Sequence, residues 1–166
     1  MLEFIDYSNR RGALVGLQPS IYNMQKENAL RDKLSVIHPP EHIVTWSQKM
    51  KANLLDIHRR FLVAMDGKVL AGILFYRYQG THLYIEDLQI AWAYRKNWAV
   101  VEGLLKKLEY DTNAKDATFF ASERIKSDAD KEILASVGFK EPHEGGWENL
   151  GGMSAAIGQL KLRYNR

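Results

Sequence analysis

Two acids and two cations stand close together in the stretch YIEDLQIAWAYRKNWAVVEGLLKKLE, residues 84–109: Glu86, Asp87, Arg95 and Lys96. The apolar alternation around the acids marks a strand, in which consecutive side chains are expected to point to opposite faces. The cations come immediately before a helical pattern, with Val100, Leu104 and Leu108 at helical spacing and Lys106, Lys107 and Glu109 outside it. A helix N-terminus presents unpaired backbone N–H groups and a partial positive charge, a natural seat for a pyrophosphate. Arg95 and Lys96 would add to that attraction. The plain alternatives are a solvated acid, an acid paired with one of these cations, and ordinary surface charge.

Other constellations fail on spacing. His38 and His42 are four apart, but Pro39 and Pro40 between them keep them off one helical face, so no zinc pair forms. Gly152-Met153-Ser154-Ala155-Ala156 lacks the second glycine of a nucleophile elbow, and no histidine follows it. No glycine-rich phosphate loop ending in Lys-Ser/Thr occurs. The chain has no cysteine, which removes thiolate metal sites, disulfides and a cysteine nucleophile.

The elements that must position the acids and cations follow from periodicity. Met1–Tyr7 reads as a short strand. Ser20 is placed to cap a helix over Ile21–Val36, with Ile21, Met24, Leu30 and Leu34 as its apolar stripe. His38-Pro39-Pro40 stops it, and a second helix runs from near Pro40 to Ile57 through Ile43, Trp46, Met50 and Leu54. From Phe61 the period becomes two. Asp66-Gly67 between apolar runs signals a hairpin, and Gln79-Gly80 turns the chain into a third strand containing the acids. A helix over Lys96–Asn113 follows, then a strand at Ala117–Ala121, a helix at Ser127–Ser136 and a strand beginning at Gly138. Gly-Gly pairs at 145–146 and 151–152 frame a loop, and Gln159–Tyr164 alternates as a last strand. This is an α/β chain with a mixed sheet: a helical first third, an antiparallel meander, then helix–strand–helix–strand.

Composition bounds the rest. At 166 residues and 46% hydrophobic content the chain suits one globular domain, residues 1–166. No apolar run approaches the length of a membrane span, and MLEFIDYSNRR does not resemble a signal peptide, so a cytoplasmic protein is expected. The net charge of +3 lies in residues 1–60, which hold 9 Lys+Arg and 6 Asp+Glu, whereas residues 61–166 hold 14 of each. Without a dense basic face, nucleic acid is not an expected partner.

IEDLQIAWAYRKNWAVVEGLL, residues 85–105, resembles the GNAT N-acetyltransferase superfamily, whose members read like x-E-D-L-x-V-x-x-x-Y-R-G-K-G-I-G-x-x-L-L. Leu134-Ala135-Ser136-Val137-Gly138-Phe139-Lys140-Glu141 is similar to the family's helix-to-strand Gly-Phe element. The element order over residues 61–141 fits as well, while residues 1–60 match only in helical character. The resemblance implies a GNAT-type fold, acetyl-CoA as co-substrate and a primary amine of a small molecule or peptide as acceptor. Residues 1–60 would form the acceptor side and residues 61–166 the acyl-CoA-binding core. Glu86 or Asp87 would take the amine's proton, and the backbone N–H of Ile90 would hold the oxyanion. Leu88, Gln89 and Ile90 would pair with the pantetheine arm as an added strand. Arg95, Lys96, Asn97, Trp98, Ala99, Val100 and Val101 would surround the diphosphate. With no cysteine to carry the acetyl group, direct transfer in a ternary complex is implied. No metal and no membrane partner is implied, and a homodimer is compatible.

The chain departs from the family pattern in two places. Aligning Leu104-Leu105 with the paired leucines puts Ala99 and Val101 at the two glycines, with Lys96 leading; starting from Arg95 puts Trp98 and Val100 there. The glycines that let a backbone approach the diphosphate are absent in both alignments. The tyrosine that many members place four residues before Gly-Phe is Leu134 here, leaving Tyr94 and Tyr110 as candidates to protonate the thiolate. These departures carry the alternative reading, a catalytically weak or inactive GNAT-like module that binds an acyl-CoA or a protein.

Overall fold

Alternation at the N-terminus gives the edge of a sheet, and the helical spacing after it gives the layer that covers one face. A computed structural model of the chain describes residues 1–31, 43–79, 82–95, 97–112, 118–121, 132, 134–139 and 154–156. Strand β1 (Leu2–Asp6) leads into α1 (Arg11–Val15), α2 (Gln18–Arg31) and α3 (Ile43–Leu55). Strands β2 (Arg59–Asp66), β3 (Val69–Gln79) and β4 (His82–Ile90) follow, then α4 (Trp98–Thr112), β5 (Thr118–Ala121) and β6 (Ser154–Ala156). The sheet order is β1-β2-β3-β4-β5-β6, all neighbours antiparallel except the parallel pair β4–β5. That one parallel pair is where α4 carries the chain back, as parallel neighbours require.

The Asp66-Gly67 signal becomes a two-residue turn, Gly67-Lys68, with Gly67 at φ +61°. Period two along β2 and β3 then separates two cores. Leu62 and Leu74 pack with Leu83, Ile85, Leu88 and Ile90 of β4 beneath Val100, Leu104 and Leu108 of α4. Phe61, Val63, Ile73 and Phe75 face the opposite way, against Leu14, Ile21, Met24, Met50 and Leu54 of α1–α3. Leu134, Val137 and Phe139 join the α4 side. The mixed sheet is therefore covered by α4 on one face and by the N-terminal helices on the other.

Several expectations are revised. Ser20 does not cap α2; it lies in its first turn, because the helix begins at Gln18 directly after α1, which sequence periodicity did not reveal. Leu30 is exposed, and the buried face of α2 is Ile21, Tyr22, Met24 and Asn28. Helix α3 ends at Leu55, so Ile57 is an exposed turn residue. Strand β6 occupies Ser154–Ala156, where Ser-Ala-Ala carries no strand signal. Gly138, at φ +109°, and Phe139 close a helical turn: the Phe139 N–H donates to the Leu134 carbonyl at 3.0 Å. The expected features at Leu34, Val36, His38–Pro40, Lys140–Glu141 and Gln159–Tyr164 lie outside the described residues. No helix among the described residues is long and apolar enough to cross a membrane.

Candidate active site

The register of β4 against β3 slips at the first acid. Asp87 lies opposite Phe75 and Ile85 opposite Tyr76, so Glu86 is an extra residue with no cross-strand partner. Such a bulge breaks strict alternation. Ile85 before it and Leu88 after it both enter the α4-side core, leaving Glu86 and Asp87 on the same face, toward α2 and the end of α3. The sequence expectation of opposite faces is overturned, because alternation holds only while every residue has a partner.

The two carboxylates nevertheless meet different chemistry. Glu86 is enclosed by guanidinium groups: Arg77 Nε lies 2.9 Å from Oε1 and Arg59 Nη2 2.5 Å from Oε2. Arg77 continues to Asp56 Oδ2 at 2.5 Å. The His58 N–H on Asp56, reinforced by the charge of Arg77, holds the Asp56 carboxyl below its ordinary range. Hydrogen bonding to Glu86 pushes Arg77 still higher, so it stays charged. Both oxygens of Glu86 are thus engaged by permanent cations.

Asp87 accepts from two neutral amides. Gln25 Nε2 of α2 donates to Oδ2 at 2.7 Å, and Gln89 Nε2 donates to Oδ1 at 3.3 Å. The network extends in both directions. Trp46 Nε1 donates to Gln25 Oε1 at 2.8 Å, and Asn28 Nδ2 donates to Gln89 Oε1 at 2.9 Å and to the Ile90 carbonyl at 3.0 Å. Sequence reading missed Gln25 and Asn28 and took Trp46 for core alone. Their signal was present: two amides at 25 and 28 share the helical face of Ile21 and Met24, and polar groups inside an apolar stripe need partners.

Ile90 ends the strand. Its side chain is buried, and its carbonyl accepts from Arg95 Nε (3.2 Å) as well as from Asn28. The Ala91 N–H donates to the Ala71 carbonyl at 2.9 Å, across to β3. Peptide groups alternate sides along a strand, so those of Leu88 and Ile90 are directed away from β3. The register of β4 with β5 runs only from His82 to Ile85 among the described residues.

The start of α4 is the other half of the expected site. Asn97 caps it: the Ala99 N–H donates to Asn97 Oδ1 and the Val100 N–H to the Asn97 carbonyl, both at 3.1 Å. Val100 and Val101 are buried in the α4-side core, and Trp98 packs against its edge. The Arg95 guanidinium lies 5.4 Å from the centroid of the Trp92 ring, and the Arg31 guanidinium lies 5.1 Å from the same centroid. Lys96 lies outside the described residues.

Of the two tyrosines left as candidate acids, Tyr94 donates to Asp66 Oδ2 at 2.8 Å, and this bond raises its pKa above the ordinary phenol value. Tyr110 is 81% exposed near the far end of α4, and Leu134 is fully buried. Among the described residues no group of three His, Asp or Glu side chains could hold a metal. An apolar groove of about 440 Å³, bordered by Val15, Ile43, Val44 and Lys51, lies outside this network.

No protein-family model and no curated protein matches the sequence. Solved structures do match in fold. An acetyltransferase from Thermus thermophilus superposes with a TM-score of 0.70 at 10% identity, over 94% of this chain and 97% of that one. A protein described as an acetyltransferase of the GNAT family, from Desulfovibrio desulfuricans, gives 0.59 at 12% identity over 95% and 99%. The PaiA N-acetyltransferase of Thermoplasma acidophilum, solved in complex with coenzyme A, gives 0.61 at 13% identity over 85% and 91%.

Proposed function

Starting from the GNAT fold that this chain shares, we propose that it is an N-acetyltransferase that moves the acetyl group of acetyl-CoA to a primary amine of a small molecule or peptide. The observation that carries this reading is the pairing of Asp87, supported by neutral amides, with a strand end at Ile90 whose peptide groups are directed away from β3. A pantetheine arm fits that edge as an added strand along Leu88–Ile90. Arg95 supplies charge near the helix start, while a diphosphate there must share or displace the N–H that Asn97 Oδ1 now holds.

The chemistry then follows from the free amine. A primary alkylamine, with a pKa near 10 as for lysine, is mostly protonated at neutral pH and attacks only as the free base. Its nitrogen lone pair forms the bond to the thioester carbon while the carbonyl electrons move to oxygen, which the Ile90 N–H stabilises. Asp87 takes a proton from the nitrogen, directly or through water. Collapse breaks the C–S bond, and the departing thiolate regains a proton from solvent, giving the free thiol and the amide. A thiol pKa near ~8.5 makes this departure feasible without a dedicated acid. Glu86, which sequence reading paired with Asp87 for this role, is the weaker choice because both its oxygens are held by guanidinium groups.

Thiol release from acetyl-CoA with a panel of primary amines tests the proposal. Asp87→Asn is expected to lower kcat by about 10²–10⁴-fold with acetyl-CoA affinity unchanged, the range typical of a lost general base. Equal activity in Asp87→Asn and the parent would remove Asp87 from the mechanism. The second reading, a module that binds acyl-CoA without turnover, is favoured by the Asn97 cap and by a buried valine, Val101 in one alignment and Val100 in the other, at the position of the second glycine. Binding without thiol release across the panel would support it.

A further inference from the structure

Strand β4 has two acids where one residue would complete the register. Ile85 lies opposite Tyr76 and Leu88 opposite Leu74, and all four are buried in the α4-side core. Glu86 and Asp87 between them share a single partner on β3, Phe75, so either acid satisfies the count as the extra residue. A bulge moved by one, with Glu86 opposite Phe75 and Asp87 extra, leaves Ile85 and Leu88 where they are. Apolar packing is therefore indifferent to which acid bulges, and the choice falls to their charged surroundings.

Those surroundings stand on the neighbouring strands. Arg59 and Arg77 are direct cross-strand partners on β2 and β3, and like charges so placed repel. The backbone around Arg59 is set without β4. Arg11 Nη1 donates to the Leu54 and Asp56 carbonyls at 2.7 and 2.5 Å, and its Nη2 donates to the Arg59 carbonyl at 2.7 Å. Asp56 balances one of the two charges, through Arg77. Glu86 balances the other, with Oε1 on Arg77 and Oε2 on Arg59. We propose that Arg59 and Arg77 are positioning residues: they draw Glu86 into the bulge and thereby hold Asp87 opposite Phe75, in reach of Gln25. What Asp87 does there rests on the acetyl transfer proposed above, whereas the choice of register rests on the strand pairing. The arginine pair thus gives two adjacent acids different tasks, charge balance to Glu86 and proton transfer to Asp87.

The test is NMR of the full ¹⁵N,¹³C-labelled chain, read at two signals. One is the set of cross-strand backbone contacts of Phe75, expected with Asp87 in the parent. The other is the Trp46 indole N–H, assigned through Trp46→Phe, which reports the Gln25 amide bound to Asp87. Arg59→Met with Arg77→Met is expected to add a second set of contacts, Phe75 with Glu86. It should also move the Trp46 N–H toward its position in Asp87→Ala. A charge cluster that only stabilises the fold would lower the unfolding midpoint and leave both signals in place; that result overturns the proposal, as does a parent in which Phe75 already contacts Glu86. Arg59→Lys with Arg77→Lys keeps both charges and should keep the contacts of the parent. If the double methionine variant does not fold, Arg59→Met alone decides by the same two signals. Thiol release in the folded methionine variant should fall in proportion to the shifted population, with acetyl-CoA affinity unchanged. Failure of the acetyl-transfer reading looks different: the parent would release no thiol with any amine, while the contacts of Phe75 still decide the register.

Discussion

At Glu86 the protein commits a carboxylate to two arginines. Removing its charge leaves Arg59 and Arg77, both partly buried, short of an acceptor. Glu86→Gln is therefore expected to lower stability by about 1.5–3 kcal/mol in urea unfolding, the range for hydrogen bonds to charged groups. Its acetyl-CoA affinity should stay within about two-fold of the parent. An activity loss in Glu86→Gln as large as in Asp87→Asn, at unchanged stability, would assign it chemistry instead. Residue types were legible here and their surroundings were not. Adjacent acids on a strand are visible in IEDLQI, but a bulge is a property of the register between two strands, and no residue of β4 announces it. Gln25 and Asn28 sit 62 and 61 residues from their partners Asp87 and Gln89, a separation that periodicity within α2 cannot bridge.

Three elements built on local signals were legible. The hairpin at Gly67, the strand carrying the acids and the helix at Trp98–Thr112 all follow from turn chemistry and spacing. Helix α1 was missed because five residues with one buried side chain, Leu14, make no stripe. Helix α4 also has a close contact that its own pattern hides. A Cβ on Gly103 would come within 1.9 Å of the Phe4 ring on β1, so this glycine lets the edge strand lie against the helix. Gly103→Ala is expected to destabilise the fold by roughly 1–3 kcal/mol despite alanine's better helix propensity, as overpacking does. Adding Phe4→Leu should recover part of that loss; no loss in Gly103→Ala would mean that Phe4 moves freely. At the same helix's start, Asn97→Ala should lower stability by ~1 kcal/mol through loss of the cap, read by thermal or urea unfolding.

Across the whole molecule, stability should depend on pH at both ends. Asp56 and Asp66 have folded pKa values below the ordinary carboxylate value, Asp56 chiefly through the His58 N–H and Asp66 through the Met1 amino group and Tyr94. Each contributes stability above about pH 4, and that contribution is lost as pH falls through its lowered folded value. Tyr94, raised by its bond to Asp66, contributes below about pH 10, and that stability is lost as pH rises through its folded value. Urea unfolding should therefore give a plateau between roughly pH 5 and 9. Asp56→Asn with Asp66→Asn should flatten the acid limb, and an unchanged limb would place acid sensitivity elsewhere.

At this scale the mixed sheet followed from element order. The polar network of α2 and α3 over β4 did not, because its partners on α2 and β4 lie 62 and 61 residues apart. Whether this architecture handles an acyl thioester is decided most directly by calorimetric titration of acetyl-CoA into the full chain at low and high salt. Stoichiometric binding with a Kd of about 1–100 µM, weakened by added salt as Arg95 near the helix start requires, is the expected result. No measurable heat with acetyl-CoA raised to about 1 mM would contradict it.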